Sequence, residues 1–296
     1  MTIPAICFGE ILWDVLPDGA QPGGAPLNVA YHLNKLGLPA SIYSKIGDDY
    51  NGEKLSDLLD QWGIDRTLLQ RDQTYHTSEV IATVGTNNEV SYEIVFPVAW
   101  DFISYQNETF NALNGNSYFV YGSLAARNNV TRATLFKYLE SDAIKVFDIN
   151  LRPPFFNKSL LEELLSYADI VKLNESELHM AQILFGGTQE NEAEQVKFIQ
   201  EKFNIKEVII TKGEFGASYY KGRASFNAWG SEVKVNDTIG SGDSFLAAFI
   251  ANHQLGVDPK ILIRNAVGMG AFIATKKGGC PDYQIAEYKS FVAQIF

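Results

Sequence analysis

The reading of this chain turns on Asp237-Thr238-Ile239-Gly240-Ser241-Gly242-Asp243-Ser244-Phe245, followed by Leu246-Ala247-Ala248-Phe249-Ile250-Ala251. Two glycines flank one small residue, and an unbroken apolar run begins at Phe245. A helix that is apolar on every side is a buried one. Its first turn therefore projects free N–H groups out of a rigid core. Glycine lets a ligand approach that backbone closely, and free amides at a helix start suit an anion such as phosphate. Asp243 lies in the first turn, beside that site. Taken alone, the pattern reads equally well as a Gly-rich turn in which Asp243 stabilises the helix start.

Upstream, Gly23-Gly24-Ala25-Pro26-Leu27-Asn28-Val29-Ala30 opens another helix, with Pro26 where a missing N–H costs nothing. Val29, Leu33 and Leu36 give it a buried stripe and Gly37 stops it. Asn28 offers one acceptor and two donors, a set suited to a neutral polyol. Strands are expected at 3–9, 41–46, 117–121, 145–149, 170–173 and 207–211, separated by helical segments such as 50–62. That alternation predicts an α/β fold with a mostly parallel sheet between two helical layers. Residues 77–84 and 90–96 break it: they read as a hairpin around Gly85-Thr86-Asn87-Asn88, either an edge of the main sheet or a small sheet over a cleft. The last third reads as helical from Gly242 through about Lys276, with a final helix near 285–295.

The chain has 296 residues, 46% hydrophobic and 20% charged, enough apolar material for a large core. Its formal net charge of −11 argues against a general nucleic-acid or anionic-membrane binder. The two cysteines, Cys7 and Cys280, form no zinc or disulfide pattern. Glu10 and Asp14 sit where a signal peptide needs an apolar stretch, and no run is long enough to span a membrane, so a cytoplasmic setting is expected. No Gly-Lys dipeptide occurs, so a Walker A loop is absent, and His32, His76, His179 and His253 form no catalytic spacing.

Together, Gly23-Gly24-x-x-x-Asn28-x-Ala30 and Asp237-Thr238-x-Gly240-Ser241-Gly242-Asp243 resemble the two signatures of the ribokinase (PfkB-type) carbohydrate kinases. Between them, Asp148-x-Asn150-x-Arg152, Asn174-Glu175-Ser176-Glu177 and Thr211-Lys212-Gly213-x-x-Gly216 are similar to intermediate blocks of that family. Gly9-Glu10-x-x-x-Asp14-x-x-Pro17 is most similar to the fructokinases, while Ser241 stands where the family usually has Ala.

The resemblance implies one ribokinase-like three-layer domain over 1–296. A small β lid would be formed mainly by about 76–97, joined by part of 14–22. It implies transfer of the γ-phosphoryl group of ATP to a sugar hydroxyl, fructose giving fructose 6-phosphate. A same-family kinase for 2-keto-3-deoxygluconate, ribose or another small sugar is the alternative, and a non-catalytic sensor the second. Asp243 would be the catalytic base, with the amides of Gly240, Ser241 and Gly242 as anion hole. Asp14, Gly24, Asn28 and Arg152 would bind the sugar. Asn174, Thr211, Lys212, Gly213 and Gly216 would bind the nucleotide. Glu177 would reach Mg²⁺ through water, although Asn174 and Glu177 also read as a capping box. The Asp237 carbonyl is a candidate ligand for a monovalent cation such as K⁺, and the lid a candidate homodimer contact.

Overall fold

The computed structural model describes residues 4–16, 19–84 and 90–296. The chain opens with β1 (Ala5–Phe8), β2 (Leu12–Leu16), β3 (Gly19–Gly23), α1 (Ala25–Lys35), β4 (Ala40–Gly47), α2 (Tyr50–Trp62) and β5 (Leu69–Asp72). It continues through β6 (Ser78–Val84), β7 (Val90–Ile94), α3 (Asn107–Ala112), β8 (Tyr118–Gly122), α4 (Asn129–Leu139), β9 (Ile144–Asp148) and α5 (Lys158–Tyr167). Then come β10 (Ile170–Asn174), α6 (Glu175–Leu184), α7 (Glu192–Phe203), β11 (Glu207–Thr211), β12 (Ala217–Lys221), β13 (Ala224–Ala228), α8 (Ser241–Gln254), α9 (Pro259–Ala274) and α10 (Ile285–Ile295).

The main sheet has the order β13-β12-β11-β10-β9-β8-β1-β4-β5. It is parallel from β11 to β5, and β12 and β13 add an antiparallel edge. Side chains alternate between two cores, as the pleat requires. Ala5, Cys7, Ile42, Val120 and Ile209 pack with α1, α8 and α9, whereas Ile6, Phe8, Tyr43, Phe119 and Ile210 pack with α4, α5 and α7. The expected three-layer α/β architecture is present. Strands leave β1 toward β4 and β5 on one side, and from β8 toward β9, β10 and β11 on the other. The topological switch therefore lies at β1 and β8, where open α/β sheets leave a crevice beyond the strand ends.

A second sheet, in the order β3-β2-β6-β7, is separate from the first. This decides between the two readings of the 77–96 hairpin: it is not an edge of the main sheet. Its two strands pair antiparallel, with Val80 opposite Ile94 and Val84 opposite Val90. The turn around Gly85-Thr86-Asn87-Asn88, like Pro17, lies outside the described residues. The stretch before α1 contains the hairpin β2–β3, with Asp14 in the middle of β2 opposite Gln21. The helical stretch expected from Gly242 to Lys276 is two helices. Gly256 takes φ 65°, and the Asp258 carboxylate then caps the start of α9 by accepting from Lys260 N–H at 2.9 Å. That reversal folds α9 onto α8.

Candidate active site

The core forces the geometry of the 237–243 turn. Residues Ser244 to Ala251 of α8 are buried, so only the first turn of the helix reaches the crevice. Gly240 precedes it at φ 73°, and a Cβ there would lie 2.5 Å from Gly279 Cα, so both the turn and its packing require glycine. The N–H groups of Gly240 and Gly242 make no hydrogen bond among the described residues. Ser241 departs from the expected hole: its N–H closes a turn on Thr238 O at 3.2 Å, and its hydroxyl donates to Gly270 O at 2.9 Å on α9. The ready donors are therefore the two glycine amides.

A cavity of about 740 Å³ opens beside them. It brings together Asp14, Gly24, Asn28, Arg152, Gly240, Gly242 and Asp243, and its wall includes Val80 and Ile94 of the small sheet. Asn28 donates from Nδ2 to Asp243 Oδ2 at 2.8 Å. Gly24 starts α1 at φ 108°, and a Cβ on it would come within 2.6 Å of the Glu10 carbonyl. Arg152 is exposed at the rim and forms no side-chain hydrogen bond among the described residues.

The pocket is rich in carboxyl groups. Burial, reinforced by the Asp148 carboxylate, lifts Asp243 to about 6, against the pull of Lys172, the Asn28 amide and Arg152. Burial likewise lifts Asp14 to about 6 and Glu10 to about 7. Glu10 Oε2 has no hydrogen-bond partner among the described residues. Each of these carboxyls is more basic than a solvated one because its charge is poorly hydrated there.

Sequence reasoning assigned no role to Glu10, Lys172 or Asp148. Lys172 Nζ holds Asp148 Oδ2 at 2.7 Å in a buried ion pair that lines the cavity, and Asp148 Oδ1 has no hydrogen-bond partner among the described residues. The available signal was a single lysine inside the apolar run Ile170-Val171-Lys172-Leu173, since a buried lysine needs a paired charge.

The expected nucleotide residues line up at the ends of β10 and β11, where Asn174 is registered with Thr211. They are not part of the cavity around Asp243. Asn174 and Glu177 do form the capping box: Asn174 Oδ1 accepts from Glu177 N–H at 2.8 Å and Glu177 Oε2 from Asn174 N–H at 2.9 Å. Glu177 Oε1 accepts from Leu151 N–H at 3.0 Å, which ties α6 to the Arg152 loop. Lys212 does not project as a free charge; Glu192 holds its ammonium at 2.8 Å. Gly213 and Gly216 bracket a short turn closed by Lys212 N–H on Gly216 O at 2.9 Å. The Asp237 carboxylate accepts from Ile239 and Gly278 N–H groups at 3.0 and 2.9 Å, which fixes the turn.

Among the described residues no group of three or more His, Cys, Asp or Glu side chains is placed to hold a metal ion directly. No described helix is long and apolar enough to cross a membrane.

The comparisons with known proteins point the same way. The model of the pfkB family carbohydrate kinases matches residues 18–286. Fructokinase-2 of Solanum lycopersicum is 27% identical, the match covering 93% of this chain and 92% of that one. The fructokinase of Vibrio cholerae O395, in a form with fructose, ADP and calcium ion bound, shares the fold with a TM-score of 0.83. It is 24% identical, over 98% of this chain and 99% of that one. The aminoimidazole riboside kinase of Salmonella enterica also shares it, with a TM-score of 0.81 at 22% identity over 97% and 99% of the two chains. With the family model matched across nearly its whole length, this chain belongs to the pfkB family and is an ATP-dependent carbohydrate kinase.

Proposed function

We propose that this kinase transfers the γ-phosphoryl group of ATP to a hydroxyl of a neutral sugar, with fructose as acceptor and fructose 6-phosphate as product. The observation that carries the reading is Asp243, a carboxylate at the start of α8 beside the free Gly240 and Gly242 amides and bonded to Asn28. Asp243 takes the proton of the sugar hydroxyl as that oxygen attacks phosphorus. The two glycine amides and the helix start stabilise the negative charge on the migrating phosphoryl group. Asn28, Asp14 and Gly24 hold the sugar, and Arg152 closes the rim. The small sheet acts as a lid: Val80 and Ile94 line the wall and would exclude water, the competing acceptor.

Mg²⁺, when bound, would supply charge neutralisation on the nucleotide phosphates. Asn174 and Glu177 would meet it through water, since both Glu177 oxygens already accept main-chain N–H groups and no direct cage is built among the described residues. Asn174, Thr211, Gly213 and Gly216 would line the nucleotide along the strand ends, a monovalent cation would sit on the Asp237 carbonyl, and Lys212 would act on phosphate only after leaving Glu192. Ile81, exposed on β6, supports pairing of the small sheet with a second copy. The free cysteines fit a reducing cytoplasm.

Acceptor charge favours a neutral sugar over 2-keto-3-deoxygluconate. A sugar acid would bring its carboxylate toward Asp14, Glu10 and Asp243, and among the described lining residues Arg152 is the cation not already paired with a carboxylate. ATP consumption over a panel of ketoses, aldoses and keto-acids tests this. Fructose should give the highest kcat/KM and 2-keto-3-deoxygluconate little turnover; the reverse order would overturn the assignment.

A further inference from the structure

The segment Gly278–Pro281 lies within the connection from α9 to α10 and is pinned between α1 and the turn before α8. Gly278 N–H donates to Asp237 Oδ2 at 2.9 Å, and Tyr31 OH donates to Pro281 O at 2.7 Å. His32 is buried and held neutral, its pKa lowered to about 4 by burial. The Gly279 carbonyl, 2.9 Å away, can only accept, so His32 Nε2 carries the proton and Nδ1 accepts from Tyr283 OH at 3.0 Å. A Cβ on Gly279 would lie 2.8 Å from both Oδ1 and Nδ2 of Asn28, so this backbone lies against the Asn28 amide. Beyond it, Cys280 Sγ is 3.2 Å from Asn28 Oδ1, while Asn28 Nδ2 is 2.8 Å from Asp243 Oδ2.

We propose that Cys280 is a positioning residue for the base: its thiol donates to Asn28 Oδ1 and so turns the amide NH₂ onto the Asp243 carboxylate. An amide has two unlike ends. The reversed amide would set Oδ1 against a carboxylate oxygen and leave the thiol proton facing an NH₂ group. The thiol keeps its proton, because burial and the nearby Asp243 and Asp14 carboxyls hold it well above the ordinary cysteine range. With Asn28 fixed on Oδ2, Asp243 Oδ1 is left without a protein side-chain partner among the described residues and is the atom that receives the sugar proton. A packing role and a donor role make different demands at this position. Serine keeps a donor and loses volume, valine keeps volume and loses the donor, and alanine loses both.

The proposal rests on Asp243 as base, so Cys280→Ser, Cys280→Val and Cys280→Ala are assayed beside Asp243→Asn, at saturating ATP and fructose. Cys280→Ser should keep at least about half of kcat, while Cys280→Val and Cys280→Ala should each lose about fivefold, the worth of one modest hydrogen bond. A valine enzyme at wild-type kcat beside an impaired serine enzyme means packing alone and overturns the proposal. Should the valine variant fold poorly, the other pair decides: alanine at wild-type kcat, or serine no better than alanine, overturns it. An inactive Asp243→Asn enzyme alongside an unaffected Cys280→Ala enzyme overturns only the thiol's part. A fully active Asp243→Asn enzyme overturns the base and the proposal together.

Discussion

Asp243→Asn should damage catalysis and improve stability, and both effects follow from the same burial. In the folded chain Asp243 titrates at about 6 against an ordinary 3.8. A rise of about two pH units corresponds to about 3 kcal/mol of differential stability. The sign follows from proton binding. Between pH 4 and pH 6 the folded chain holds a proton at this site that the unfolded chain has released, so raising the pH through that window weakens the fold. Well above pH 6 the full penalty stands, and well below pH 4 it is absent. Asparagine carries no charge and can still accept from Asn28, so it should relieve at most about 3 kcal/mol at pH 7.5 and about 0.5 kcal/mol at pH 4. Urea unfolding of both proteins at the two pH values measures this. The same substitution removes the proton acceptor, and kcat should fall about 10³-fold. In the unsubstituted enzyme kcat/KM should fall on acidification with a midpoint near pH 6. Asp14 and Glu10 titrate close by, so that midpoint belongs to the cluster. An Asn variant that keeps a tenth of wild-type kcat, or is less stable than wild type at pH 7.5, would refute the reasoning.

Asn28→Ala should raise the KM for the sugar well above tenfold while leaving the KM for ATP within about twofold, because Asn28 lies in the Asp243 cavity and not at the β10–β11 strand ends. Steady-state kinetics with each substrate varied checks this, and equal effects on both constants would remove the sugar contact. Closure of the small sheet should show as slower amide hydrogen exchange across 78–84 and 90–94 when fructose is added. Unchanged exchange there would count against a lid.

Wherever short-range rules act alone, the sequence was enough. Pro26 and Gly37 bracket α1, the apolar run after Phe245 identifies a buried helix, and the alternation of elements gives a parallel sheet. Asp243, Asn28, Asp14, Gly24 and Arg152, named from their motifs, share one cavity. What the sequence could not disclose depends on partners distant along the chain. Lys212 looked like a free phosphate ligand until the fold brought Glu192 to it. The Ser241 amide looked open until Thr238 O turned back onto it. Lys172 and Asp148 meet only because β9 and β10 are neighbours, and Cys280 reaches Asn28 from 252 residues away. Local pattern sets which groups a backbone segment can offer; tertiary packing sets which of them lose their water and which are already taken. That difference separates a motif from a working site, and here only the assembled sheet and helices supplied it.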